Sequence, residues 1–178
     1  ALRWDAAGRD RGLLVRGRAT NWIAASPAMA GGLFYVLVYA VWLKRSTRQN
    51  IVIGGAAGAF PPLVGWAAVT GSLSPLALAL FAVVFFWTPP HFWALALLLR
   101  RQYSAVQVPM LPVVAGDRTT RRAIVAYTLL LLAFSAVPSI WLGPVYGVAA
   151  FALGGAMLWQ ALLVVVTGGV TGAARLFP

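Results

Sequence analysis

Five apolar runs, each about as long as a helix that crosses a bilayer, dominate this sequence of 178 residues. A helix rises about 1.5 Å per residue, so about 20 residues span the hydrocarbon core. Unpaired backbone amides are costly in lipid, and the runs are too long and too uniformly apolar for barrel strands. The sequence therefore predicts an all-α bundle of five transmembrane helices with no soluble domain. The runs are Trp22–Trp42, Ile51–Thr70, Leu76–Leu99, Ala123–Leu142 and Val145–Val166.

The composition supports a membrane protein and excludes several other classes. The chain is 61% hydrophobic and only 10% charged, which leaves too little polar surface for a soluble globule of this size. Its net charge of +11 comes from basic residues clustered between apolar runs and not from one amphipathic face. We therefore expect contact with the lipid bilayer and no nucleic acid. The absence of cysteine excludes disulfides, thiolate metal sites and cysteine nucleophiles.

The connecting loops divide into a basic and a neutral set. Leu43–Asn50 and Arg100–Arg122 are rich in Lys and Arg, whereas Gly71–Pro75 and Gly143–Pro144 contain neither. The positive-inside rule places the two basic loops in the cytoplasm, and we expect a multi-pass protein of the bacterial inner membrane.

The N-terminal tail, residues 1–20, does not follow this pattern. It carries five arginines, yet strict alternation of five spans places it on the outer face. Either a further span precedes it or it is not native membrane sequence. It has neither an initiator Met nor the apolar core of a signal peptide, so we expect the chain to be a fragment.

Two Pro-Pro pairs lie well inside apolar runs, in "AFPPLVGW" at Ala59–Trp66 and "WTPPHFW" at Trp87–Trp93. Proline removes an amide donor and clashes with the preceding turn, so each span should kink or break there. Both pairs fall about 15 Å below the cytoplasmic surface. Interrupted helices that meet at one depth indicate a ligand cavity; the alternative is an ordinary proline kink of a membrane helix.

His91, the only histidine, lies beside the second pair and should face the bundle interior, since an imidazole in lipid is costly. It could ligate haem, transfer a proton or bind an anion. The alternative is a histidine satisfied by a backbone carbonyl freed at the kink. A single histidine specifies no metal.

Two cytoplasmic loops carry the remaining candidate chemistry. Cations and amide donors just before a helix suit a phosphate or diphosphate, although ordinary positive-inside charge also explains them. These residues are Lys44, Arg45, Thr47, Arg48 and Asn50. The long loop Arg100–Arg122 is large enough to form a lid, and its only acid is Asp117. The sequence contains no catalytic triad, carboxylate pair, P-loop or dinucleotide fingerprint.

Three blocks of the sequence resemble the protoheme IX farnesyltransferase (haem O synthase) family of the UbiA-type intramembrane prenyltransferases. They are "VYAVWLKRSTRQNIVIGGAAGAFPPLVGWAAVTGSLS", "LFAVVFFWTPPHFWALAL" and "VPMLPVVAGDRTT", in the same order. The resemblance implies a nine-helix bundle, of which residues 21–178 form helices four to eight, and transfer of a farnesyl group from farnesyl diphosphate to a vinyl group of haem b. It also implies Mg²⁺ held by aspartate motifs, and association with haem A synthase or with terminal oxidase assembly.

The resemblance also assigns site residues. The basic loop before the second span would line the diphosphate, and His91, Trp87 and Trp93 would face the haem or the prenyl chain. Tyr103 and Gln102 correspond to a catalytic segment of the second cytoplasmic loop. The residues implied to bind substrate are Lys44, Arg45, Thr47, Arg48, Asn50, Trp87 and Trp93.

This chain departs from the family at the metal site. Gln102 stands where the family has an acid before the tyrosine, and Gln107 replaces a glycine of that segment. The first aspartate motif is absent, and Asp5 and Asp10 do not reproduce its context. We therefore expect a partial chain with impaired Mg²⁺ binding and doubtful activity. A non-catalytic haem- or lipid-binding membrane protein and a quinone-ring prenyltransferase remain alternatives.

Overall fold

The computed structural model describes residues 21–43 and 46–167, and these residues form helices and no strand. The first span begins as α1 and continues as a π-helical segment, Phe34–Leu43. The α-helices are numbered in chain order. They are α1 (Trp22–Leu33), α2 (Asn50–Gly58), α3 (Pro61–Thr70), α4 (Pro75–Leu98), α5 (Arg100–Ala105), α6 (Leu111–Val114), α7 (Gly116–Ala136) and α8 (Ser139–Thr167).

Four of the five predicted spans are confirmed as helical segments long and apolar enough to cross a membrane: Trp22–Leu43, Asn50–Thr70, Pro75–Leu98 and Ser139–Thr167. The protein is therefore an all-α, multi-pass membrane bundle. The predicted span Ala123–Leu142 differs in its bounds. Its helix, α7, starts at Gly116 with charged first turns and ends at Ala136, just before Pro138. Pro138 cannot donate the next helical hydrogen bond, so the apolar part of α7 is shorter than predicted.

The two Pro-Pro pairs behave differently. Pro61 and Pro62 open α3 after a break at Ala59 and Phe60, as predicted. At Pro89 and Pro90, where a kink or a break is predicted, α4 does not break and runs through both prolines as one helix. Both rings are almost completely buried, so neighbouring helices pack around this part of α4 and support it.

Polar side chains cap two of the spans at their first turns. The amide of Ala24 donates to Asn21 Oδ1 at 2.7 Å, and Asn21 Nδ2 donates to the carbonyl of Ala67 in α3 at 2.9 Å. The amide of Ala77 donates to Ser74 Oγ at 3.1 Å. These bonds satisfy amides that have no partner inside the helix, and Asn21 also ties the start of α1 to α3.

The predicted connection at Gly143–Pro144 is a single non-helical residue. Gly143 adopts φ 80° and ψ −178°, and helix continues on both sides of it within α8. The region φ > 0 favours glycine because it has no Cβ.

Consecutive spans pack side by side, and α7 lies between α4 and α8. One buried apolar cluster joins the start of α2, the end of α4, the start of α7 and the end of α8. Because these helix ends adjoin Arg48 and the loop Arg100–Arg122, both basic loops lie at the same end of the bundle, as the charge pattern predicted. The cluster consists of Ile51, Trp93, Ala94, Ala96, Met110, Ile124, Ala161 and Val164.

Candidate functional site

A cavity of about 680 Å³ lies between the first span, α2 and α4. Its volume is in the range typical of small-molecule sites. Along each helix the lining extends over eight or nine residues, as from Ile51 to Gly58 in α2 and from Val84 to Phe92 in α4. At 1.5 Å per residue the cavity is about 12 Å long and parallel to the helices. One end lies near the basic loops and the other reaches the level of the break before α3.

Glycines allow the walls of this cavity to approach closely. A methyl group at Gly54 would overlap the ring of Tyr39, and one at Gly55 would lie 3.0 Å from Thr88 Cγ2. Small residues commonly permit such close helix contacts in membranes. The small residues of "IVIGGAAGA", from Ile51 to Ala59, thus form one wall of the cavity.

Aromatic rings supply much of the remaining wall. Tyr35 and Tyr39 project from the first span with their rings 5.5 Å apart, and Trp87 and Phe92 project from α4. The two tyrosines were not predicted as site residues. Their spacing of four residues, which places both on one face of a helix, was the available signal.

His91 lies next to the cavity wall and is half-buried. Its ring stacks on Trp87, with centroids 4.4 Å apart and planes at 24°, and meets the edge of Phe92 at 5.6 Å. The structure thus brings together His91 and Trp87, two of the residues predicted for the site. Trp87 lines the cavity, and His91 lies behind the Trp87 ring.

Trp93 and Tyr103 lie outside this group. Trp93 is only 3% exposed and packs edge-on against Tyr127 in the core, with ring centroids 5.1 Å apart. Tyr103 is half-buried and packs against the same core cluster. The structure gives both residues a packing role at the loop end of the bundle.

The predicted diphosphate loop is described only in part, because Lys44 and Arg45 lie outside the described residues. Thr47 Oγ1 accepts a hydrogen bond from the amide of Gln49 at 3.2 Å, and Arg48 is exposed. Asn50, the first residue of α2, is buried to 1% exposure. The next residue, Ile51, lines the cavity, so this loop lies at the cavity's basic end.

The second loop places Gln102 on the exposed surface of α5. Arg100 Nη1 donates to Asp117 Oδ1 at 3.0 Å, which joins α5 to the first turn of α7. Asp117 is the only acid in the described part of the chain, and no group of three or more metal-ligating side chains occurs there. A Mg²⁺ ion prefers several oxygen ligands, so the described residues do not fit it.

The fold and the sequence together define a class of protein. The UbiA prenyltransferase family matches residues 12–177, and the chain therefore belongs to that family. No solved structure matches this sequence.

Three curated relatives share one name, protoheme IX farnesyltransferase. The chain is 57% identical over 159 residues to that of Roseiflexus sp. (strain RS-1), covering 88% of this chain and 30% of the relative. It is 52% identical over 161 residues to that of Acidiphilium cryptum (strain JF-5), covering 89% and 51%. It is 59% identical over 156 residues to that of Rhodopseudomonas palustris (strain BisB5), covering 85% and 49%. The chain thus spans between 30% and 51% of the length of these relatives.

Proposed function

We propose that this chain is part of a protoheme IX farnesyltransferase, which transfers the farnesyl group of farnesyl diphosphate to a vinyl group of haem b and makes haem O for terminal oxidases. The observation that carries this proposal is the 52% to 59% identity to relatives of that name across most of this chain. The long aromatic and apolar cavity supports it, since it suits an isoprenoid chain.

In this reaction the C–O bond of farnesyl diphosphate breaks, and its electron pair leaves with the diphosphate. The allylic carbon then forms a bond with the terminal carbon of the vinyl group, which supplies the π electrons. The positive charge moves to the carbon beside the porphyrin ring. Water adds there and loses a proton, which gives a hydroxyethylfarnesyl substituent.

The cavity supports one orientation of the donor. Cationic Arg48 and the start of α2 lie at the basic end, where a diphosphate would be neutralised and hydrogen-bonded. The prenyl chain would then run along the cavity towards Gly31, Gly58 and Val84. The face of Tyr39, which lines the cavity towards its basic end, would stabilise the allylic cation through cation–π attraction.

Bound Mg²⁺ would neutralise the diphosphate as it leaves. The described residues do not provide its ligands. The contribution proposed for this chain is to bind and orient the apolar chain and to exclude water from the cation until it has reacted.

We further propose that the protein lies in the bacterial inner membrane with its basic loops in the cytoplasm, and that it associates with haem A synthase or with terminal oxidase assembly. The cytoplasmic opening would meet water-soluble farnesyl diphosphate head groups directly. Crosslinking in native membranes followed by mass spectrometry would test the association, and recovery of neither partner would contradict it.

The test of function uses the complete natural gene product in membranes of a bacterium that lacks its own haem O activity. With haem b and farnesyl diphosphate added, we expect a haem heavier by one farnesyl group and one hydroxyl group by liquid chromatography and mass spectrometry. A protein that binds haem without consuming farnesyl diphosphate would contradict the proposal and favour the non-catalytic alternative. Prenylation of a quinone ring, and not of haem, would favour the other alternative, a quinone-ring prenyltransferase.

The histidine is tested separately. If His91 contacts the iron of haem b, His91→Ala should shift the Soret band of the haem-loaded protein, whereas Trp159→Ala, at an exposed position of α8, should not. An unchanged Soret band in the His91 variant would exclude ligation.

A further inference from the structure

A second cavity, of about 390 Å³, lies on the other side of α4 from the first. It lies between α4, α7 and α8, is partly open, and is lined mainly by small and aliphatic side chains, with Tyr146 and Ser135 as its polar groups. Val84 and Trp87 line both cavities. These two side chains therefore form the partition between them.

The partition lies where the end of a prenyl chain would come to rest. Within the first cavity α4 runs from Phe92 at the basic end to Val84 at the deep end, and Trp87 is one turn from Val84. A donor whose diphosphate lies at the basic end directs its last isoprene unit towards these two residues.

The lengths agree with this position. With C–C bonds of about 1.5 Å, one isoprene unit extends about 5 Å, so a farnesyl chain of three units reaches about 15 Å and fills a cavity about 12 Å long with a slight bend. A fourth unit needs about 5 Å more, and the Trp87 ring occupies the direction in which that length is available.

From this geometry we propose that Trp87 determines the length of the isoprenoid chain that the site accepts. Its indole stands between the first cavity and the second, and the second cavity is the space that a fourth isoprene unit enters once the indole is removed. This inference rests on the proposed prenyl donor. Trp87 was assigned only as a general contact to haem or prenyl chain, and the partition gives it a specificity role.

The test measures binding, so that it does not depend on turnover. The complete gene product is purified in nanodiscs, and dissociation constants are measured for non-hydrolysable thiolodiphosphate analogues of farnesyl and geranylgeranyl diphosphate. The wild type should prefer the farnesyl analogue. Trp87→Ala should change the ratio of the two constants by about tenfold or more in favour of the longer chain, since one extra methylene in a pocket is commonly worth about tenfold or more.

Two further variants sharpen the result. Trp87→Ala combined with Ala150→Phe fills the second cavity from α8 and should abolish the gain for the longer chain. Trp159→Ala removes an indole that is 63% exposed on α8 and should leave the ratio unchanged. Val84→Ala, which removes less of the partition, provides a smaller gain if Trp87→Ala fails to fold.

The outcomes separate the two proposals. An unchanged ratio in both Trp87→Ala and Val84→Ala would overturn the chain-length role while leaving the proposed function intact. Binding of neither analogue by the wild type would overturn both. A gain that survives the Ala150→Phe substitution would show that the longer chain leaves by another route and would also contradict the second cavity's role.

Discussion

The segment that ends α5 has a residue poorly suited to its backbone, and this leads to a prediction. The amide of Val108 donates to the carbonyl of Tyr103 at 3.1 Å, and the amide of Gln107 donates to that of Ser104 at 3.1 Å. This pair of bonds is the Schellman motif that closes many helices. It requires a left-handed residue, and Gln107 has φ 54°, the only positive φ of a non-glycine residue in the described part of the chain.

Gln107→Gly should therefore stabilise the protein. The left-handed region costs a residue with a Cβ about 1–2 kcal/mol of conformational free energy, and glycine avoids this cost. Glycine also makes the unfolded chain more flexible, which offsets about 0.5–1 kcal/mol of the gain in folding free energy. Gln107 is exposed, so little packing is removed, and both hydrogen bonds come from the backbone and are retained. The net gain should be about 0.5–1 kcal/mol, or a rise in Tm of about 1–4 °C for a domain of this size.

The assay is thermal unfolding in detergent micelles, together with hydrogen exchange of the peptide that contains Val108. Gln107→Ala is the matched control, because alanine removes the same side chain but keeps the Cβ. We expect slower exchange and a higher Tm for glycine and no gain for alanine. Equal behaviour of the two variants would refute the explanation from backbone conformation, since side-chain removal alone would then account for any change.

Two further predictions concern packing and charge. Gly31→Ala places its Cβ 2.9 Å from Phe60 Cγ, whereas the Cβ of Gly32→Ala meets nothing within 4 Å. In thermal unfolding, Gly31→Ala should destabilise the protein by about 1–3 kcal/mol. Gly32→Ala should stabilise it by about 0.5–1 kcal/mol through helix propensity. A gain of equal size in both would contradict the close contact. In the Arg100–Asp117 ion pair the two side chains are 48% and 41% exposed, respectively. A double-mutant cycle should therefore give a coupling free energy below about 1 kcal/mol that falls as the salt concentration rises. A larger, salt-independent value would show that the pair is buried in the native membrane.

Hydropathy predicted most of the fold because lipid imposes one requirement on every span. Backbone groups must be bonded within the segment, so a long apolar run is a helix whatever its neighbours do. The effect of proline depends on packing and was harder to predict. Pro61 begins a new helix, whereas Pro89 sits inside a continuous one because buried contacts hold both sides together.

The same continuity explains where the structure places the predicted site residues of α4. Trp87 and His91 are four residues apart, so an unbroken helix puts them on one face, where they stack. Trp93 is six residues from Trp87, a rotation of about 240° at about 100° per residue. It therefore turns away from the cavity into the core.

The site also divides by chemistry along its length. The deep part consists of glycines and aromatic rings on rigid, closely packed helices, and it can select an apolar chain by shape. The charged part lies in the two loops, where the one described carboxylate, Asp117, is already paired with Arg100. Ligands for a metal that neutralises a diphosphate would have to come from outside the described residues. Binding of the chain and activation of its head group should therefore separate experimentally: substitutions at Trp87 should change which chain binds, and substitutions at Arg48 should weaken all diphosphates alike regardless of chain length.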